Sequence, residues 1–165
     1  MSQLQYTIVV SVTPQRANEC LIQFGAFASD DTTALNQRLL ILGFDIALLG
    51  AIPATAPPAF DFTLQSNIGV PAAATTVTPQ KAIRGDNETI QGRYKRYDAP
   101  ANGSTDPAVV ADSVLWNGSL HRQGTLLWRP PISFSPITVM GGERVGFRYL
   151  DAALTSLIVT LFLEQ

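Results

Sequence analysis

The sequence predicts an all-β protein of about nine or ten short strands, a β-sandwich or barrel. Three observations carry this. Apolar residues recur with a period of two in many stretches, as in Tyr6, Ile8, Val10 and Val12. Pro, Gly, Asn and Asp interrupt these runs at short intervals, as turns do. No stretch makes a convincing amphipathic helix.

At 165 residues the chain reads as one domain, 1–165, long enough to bury a single core. Strand signals follow in order. Gln3 to Val12 alternates and ends at Thr13-Pro14. Glu19 to Phe27 follows, with Leu21 and Phe24 as core residues and Gly25 as a bulge. Asp30-Asp31 lies in a loop that could cap one helical turn through Ala34-Leu35. Arg38 to Leu49 places Leu40, Leu42, Phe44, Ile46 and Leu48 on one face, with Leu39, Ile41, Gly43 and Asp45 on the other. The Pro/Ala-rich segment 50–58 cannot be regular structure.

Phe60, Phe62 and Leu64 then alternate with Asp61, Thr63 and Gln65. Asn67 to Gln80 suggests an extended or edge segment, and Lys81 to Asn87 a loop. Glu88 to Tyr97 reads as an amphipathic strand, and Asp98 to Pro107 as a flexible loop. Val109 to Trp116 and Leu120 to Trp128 are expected to form a hairpin across the turn Asn117-Gly118-Ser119. Ile132 to Val139 is a short strand, and 140–143 a tight turn. The chain closes with a strand through Val145, Phe147 and Tyr149, then the run from Leu157 to Leu163. That run is apolar at every position but Thr160, as in a strand closed in on both sides.

Hydrophobic residues make up 46% and charged residues 15%, against a usual charged share of about 25%. A surface so poor in charge predicts contact with another subunit. The net charge of −2 supplies no field for nucleic acid or an acidic membrane, so neither is expected as a partner. The N-terminus MSQLQYTIVV lacks a basic region followed by an apolar core, so no secretory signal is expected, and synthesis in a cytoplasm is. The apolar runs are too short for a helical membrane span.

Candidate chemistry is sparse. His121 is the only histidine and Cys20 the only cysteine, so histidine-based metal sites, thiolate clusters and triads would each rest on one residue. Glu19 beside Cys20 would raise the thiol pKa. Asp30-Asp31 lacks a calcium-loop context, and no carboxylate spacing supports a glycosidase pair. No catalytic residue, metal site or cofactor is expected, and an enzyme is not the reading. Arg84-Gly85-Asp86 reads as a turn, as do Asn87, Asn102 and Asn117, each in a glycosylation-type triplet. The sharpest local feature is Arg93-Tyr94-Lys95-Arg96-Tyr97. Strand alternation splits it between two faces, which favours a subunit contact over a nucleic-acid grip. Arg93, Tyr94, Arg96 and Tyr97 are therefore the expected interface residues. Trp116, Trp128 and Arg129 are further anchors, because Arg, Tyr and Trp dominate interface energetics.

The closing region, from Leu127-Trp128-Arg129-Pro130-Pro131 through Ile137-Thr138-Val139 and Gly141-Gly142-Glu143 to the last strand, resembles the end of a viral jelly roll. More narrowly, it is similar to small β-sandwich structural proteins of tailed bacteriophage particles, such as capsid decoration (cement) proteins and head-fibre or tail-associated domains. The resemblance implies an all-β, jelly-roll-like antiparallel β-sandwich of about 8–10 strands, and a virion component acting as a homo-oligomer, with a trimer favoured. Its partners would be its own copies and a major capsid protein or other virion protein. The alternative is a receptor- or carbohydrate-binding module of a fibre or tail, with Tyr94, Tyr97, Trp116 and Trp128 exposed. A coat protein enclosing its genome alone is disfavoured, because there is no basic N-terminal arm.

Overall fold

The computed structural model describes residues 4–14, 16–27, 33–50, 57–66, 74–82, 90, 92–97, 106–120, 124–131, 135–151 and 156–165, with the side chains of 74, 93, 95 and 97 excepted. Twelve strands and no helix occur among them. They are β1 (Gln5–Val12), β2 (Glu19–Gly25), β3 (Leu39–Leu48), β4 (Ala59–Gln65), β5 (Ala74–Thr76), β6 (Gln80–Lys81), β7 (Arg93–Tyr97), β8 (Val109–Ser119), β9 (Thr125–Trp128), β10 (Ile137–Val139), β11 (Arg144–Tyr149) and β12 (Leu157–Glu164).

The strands form two antiparallel sheets. The first runs β10-β3-β12-β1-β6, and β9 pairs with the same strand, β3, that β10 does. The second runs β5-β7-β2-β11-β4-β8. Pairing is nested. The first strand meets the last (Tyr6 opposite Leu163), and β2 meets β11. β3 then meets β9 and β10, and β4 meets β8. A long hairpin folded over on itself gives this order, and it makes the sandwich a jelly roll. The short strands β5, β6 and β7 all lie in the connection between β4 and β8. They lengthen both sheets beyond the eight-strand pattern.

The core lies between the sheets. Inward residues of β1 (Tyr6, Ile8, Val10, Val12) and β12 (Leu157, Val159, Leu161, Leu163) face Phe24, Phe60, Phe62, Val145 and Phe147 of the second sheet. Phe44 of β3 joins the layers. Its ring lies 5.0 Å from Phe62, 4.7 Å from Trp116 and 5.3 Å from Trp128, stacked on the last. Near the other side of the sandwich, the buried hydroxyls of Tyr6 and Tyr94 meet at 2.6 Å, with the rings edge to face.

Several local expectations give way to tertiary demands. The alternation along β3 does not run unbroken. Leu39 and Ile41 are buried before Gly43, and Phe44 and Ile46 after it. The switch is a bulge, since Phe162 sits opposite Gly43 but Leu163 opposite Ile41. Glycine is required there: a Cβ would lie 2.5 Å from Arg129 Cδ and 2.7 Å from the Trp128 carbonyl oxygen. In β2 the irregularity lies at Leu21, between the partners of Phe147 and Arg148, not at Gly25. Gly25 serves close approach instead, with Glu143 O only 2.5 Å from where a Cβ would stand.

The expected hairpin of β8 and β9 does not form. β8 continues through Asn117, Gly118 and Ser119, pairing with Asp61, Phe60 and Ala59, while β9 lies in the other sheet. Asn117-Gly118 has turn chemistry, but Gly118 is where the Trp116 indole lies, 2.5 Å from a would-be Cβ. Ala34 bridges to Phe27, and Leu35 N donates to Ala26 O, so that stretch is extended, not a helical turn. Lys81, expected in a loop, pairs with Tyr6 in β6. β12 is paired along both edges, but its outer face is only partly covered before Glu164. Ile158, Thr160 and Phe162 are half-buried on the outer side. The tight turn before β11 is as expected: Glu143 N donates to Met140 O, and the Glu143 carboxylate accepts from Met140 N.

Deleting Leu161–Gln165 removes half of the strand that joins β1 to β3, so the chain should lose its fixed core. Near-ultraviolet circular dichroism is the measurement. A truncated chain with the full-length spectrum would show that β12 is dispensable.

Candidate functional site

The two outer faces of the sandwich differ in kind. On the second sheet the outward positions are polar yet buried by this chain alone. Asp61, Thr63 and Gln65 of β4 and Gln23 of β2 are all closed off from solvent, as is Cys20. Gln23 Nε2 donates to Gln65 Oε1 at 2.6 Å, and Gln65 Nε2 donates to Cys20 Sγ at 3.4 Å. Arg148 holds Asp61 through two bonds, Nε to Oδ1 at 2.9 Å and Nη2 to Oδ2 at 2.5 Å. Satisfied pairs of this kind specify the layer, because each group would be costly if buried alone. Burial, offset only in part by the Gln65 bond, pushes the Cys20 thiol up to about 12, which makes it an inert packing residue. Glu19, the cause expected from sequence, adds only a minor upward push.

The outer face of the first sheet is open. The registers align Val9, Thr160, Asp45 and Leu127 in one row across β1, β12, β3 and β9. A second row holds Ser11, Ile158, Ala47 and Thr125. A third holds Thr7 and Phe162. Val9 is 58% exposed and Leu127 72%. The charges in the middle of this face cancel: Arg129 Nη1 meets Asp45 Oδ1 at 2.7 Å and also bonds the carbonyls of Phe44 and Trp128. Its guanidinium lies 4.5 Å from the centre of the Phe162 ring. The result is a nearly neutral, partly aliphatic sheet surface with no covering layer among the described residues.

The sequence-predicted interface residues fall in different places. Tyr94 is in the core, bonded to Tyr6. Arg96 is half-buried beside it in β7. The side chains of Arg93 and Tyr97 lie outside the described set. β7 is no edge, being flanked by β5 and β2. Trp116 and Trp128 are half-buried, packed on Phe44 and on each other at 6.5 Å. Of the five whose side chains are described, Arg129 alone reaches the open face, where it serves as a clamp within its own chain. Sequence reading passed over Val9, Ile158, Phe162 and Leu127. The available signal was apolar residues at outward positions of otherwise alternating strands. His121, Asp30-Asp31, Arg84–Asp86, Asn87 and Asn102 lie outside the described residues.

Comparison with protein-family models, curated proteins and solved structures finds no match for this chain. Function must therefore be read from the surface itself. An open groove of about 580 Å³ between residues 34–38 and the 140–141 turn is lined by Leu35, Asn36, Arg38 and Met140. Its described lining residues bring together no nucleophile, carboxylate or imidazole. Among the described residues, no three His, Cys, Asp or Glu side chains are grouped to hold a metal.

Burial raises the Tyr6 hydroxyl from 10.0 to about 12, with the Tyr94 bond offsetting part of the effect, and it raises Tyr94 further. Both groups keep their protons in the folded chain and release them on unfolding near pH 10. Their contribution is complete below that pH and is lost as the pH climbs towards 12. The loss should approach about 1.4 kcal/mol per pH unit for each group. Urea midpoints measured from pH 9 to 11.5 should fall, first from pH 9 as the buried Cys20 thiol loses its contribution and more steeply above pH 10, where the slope should be smaller in Tyr6→Phe. A flat profile would remove the pair from the core.

Proposed function

We propose that this chain is a structural protein of a virus particle, a capsid decoration protein or another component of the virion surface. It acts by associating with its own copies and with a capsid protein. The observation that carries the reading is the neutral outer face of the first sheet. It combines exposed Val9 and Leu127 with a self-neutralised Asp45–Arg129 pair, on a jelly roll whose other outer face is already closed.

Such a face suits flat packing against protein. It offers no charge for nucleic acid and no convergent polar groups for a small ligand. Association is the whole mechanism: each contact is modest, and symmetry multiplies it, with avidity gains on the order of 10² to 10⁴ when copies are linked. A trimer is the favoured state, as the resemblance to decoration proteins implies. The receptor- or glycan-binding alternative needs aromatic rings turned outwards, whereas Trp116, Trp128 and Tyr94 engage their own core.

Light scattering should give the mass of a closed oligomer for the purified chain. Val9→Asp with Leu127→Asp should reduce it to the monomer at unchanged circular dichroism, since both sites are solvent-facing and cost the fold little. An antibody against the protein should band with particles in a density gradient of the culture that produces it. Signal confined to the particle-free fractions would overturn the proposal.

A further inference from the structure

Asn117-Gly118-Ser119 carries a reactivity of its own. The backbone nitrogen that follows an asparagine can attack the side-chain carbonyl, and a glycine there hinders the attack least. In a turn, the geometry these residues favour, that nitrogen comes within reach of Cγ. Here the tripeptide is strand instead. Residues 116–119 are the regular part of β8, with Trp116 opposite Phe62, Asn117 opposite Asp61, Gly118 opposite Phe60 and Ser119 opposite Ala59. Before Trp116 the register jumps twice.

The ladder restrains the reaction. Leu120 N donates to Pro58 O at 2.9 Å. Antiparallel alternation then makes Gly118–Phe60 the next bonded pair, and Asn117–Asp61 a non-bonded pair, the kind in which side chains stand closest. The Gly118 N–H is thus engaged by Phe60 O, and the extended backbone keeps its nitrogen off Asn117 Cγ. Packing holds the stretch down at both ends. The Trp116 ring centre lies 4.7 Å from that of Phe44 and 6.1 Å from that of Phe62, and Leu120 is buried. Yet Asn117 is exposed, and β4 is the one neighbour of β8 in the sheet among the described residues. A strand held along one side opens locally more readily than one paired on both.

We infer that Asn117 is a deamidation site gated by the opening of residues 116–119, and that its product hinders their return. When the stretch opens, the Gly118 nitrogen loses its proton and attacks Asn117 Cγ. The new N–Cγ bond closes a five-membered succinimide. The Cγ–Nδ2 bond breaks, and ammonia leaves with the proton. Water then opens the ring. Addition at Cγ gives aspartate; addition at the main-chain carbonyl gives isoaspartate, which routes the backbone through the side chain and lengthens it by one atom. Water is the only co-reactant, and nothing is oxidised or reduced. Either product sets a carboxylate opposite Asp61. Both Asp61 oxygens are already taken by Arg148 from the strand on the other side, at 2.9 Å and 2.5 Å. Like charges facing each other across a ladder destabilise it. The extra atom of isoaspartate also moves Gly118 out of line with Phe60. The modification is therefore a one-way mark of past opening, and a marked chain docks β8 less well. This rests on β4, β8 and β11 and not on the particle reading.

The test follows the purified full chain in mildly alkaline buffer, folded and in concentrated urea. Mass spectrometry of the peptide carrying Asn117 reads the conversion, with isoaspartate resolved by chromatography. In the folded chain Asn117 should react at least about tenfold more slowly than in urea, and its rate should climb at urea concentrations below the global midpoint, as for a strand that opens locally. Asn117→Asp, which is one of the two products, should lower the hydrogen-exchange protection of the Gly118 amide by about three- to fivefold, the effect of like charges placed opposite each other. Asn117→Gln adds no charge and should keep the wild-type protection. Asn117 reacting as fast folded as in urea, a rate that rises only with global unfolding, or Asn117→Asp protected like the wild type would each overturn the inference.

Discussion

The strand that ends the chain holds the rest in place. β12 hydrogen-bonds to β1 on one edge and to β3 on the other, so the middle of the first sheet does not exist until residues 157–164 are present. Its partners are made at the start of the chain and about a quarter of the way along. The loops closed are therefore long, and their entropic cost must be met before packing rewards it. The other pairs nest inside that closure: β2 with β11, β3 with β9 and β10, β4 with β8.

Within that frame, the bulge at Gly43 lets two requirements coexist. Before it, β3 turns Leu39 and Ile41 inwards; after it, Phe44 and Ile46. Without the extra residue, Phe44 would face outwards and the sheets would lose the ring that contacts Phe62, Trp116, Trp128 and Phe147. The space left by the missing Cβ is filled by Arg129, which ties β9 to β3 and neutralises Asp45. A packing solution in the core thus also sets the electrostatics of the open face.

Function in such a molecule is a property of surfaces. Among the described residues, one outer face is polar and closed by its own chain, and the other is nearly neutral and open. The low share of charged residues is distributed accordingly, with Arg148–Asp61 and Arg129–Asp45 consumed in pairs inside the fold or across one face. What remains on the outside is suited to neighbours of similar polarity.

Much of the fold was legible from the residues. The period of two places Tyr6, Ile8, Val10 and Val12 inwards, and Phe60 and Phe62 likewise, because alternation is a local property of an extended backbone. Tight turns such as Met140–Glu143 are equally local. The neighbours of each strand were not legible. Asn117-Gly118 carries the chemistry of a hairpin turn, yet it is strand, because β4 offers it a ladder and Trp116 needs the space over Gly118. Asp61, Thr63 and Gln65 follow a solvent-facing pattern, yet they are buried in a polar layer in which Asp61 and Gln65 find partners. Tyr94, Trp116, Trp128 and Arg129, among the residues most suggestive of an interface, were drawn into the core or into a clamp. Local sequence determined that this chain is built of strands and which side chains could share a face. The tertiary structure alone decided which faces meet water, because burial depends on hydrogen-bonded partners and packing layers that come from distant parts of the chain.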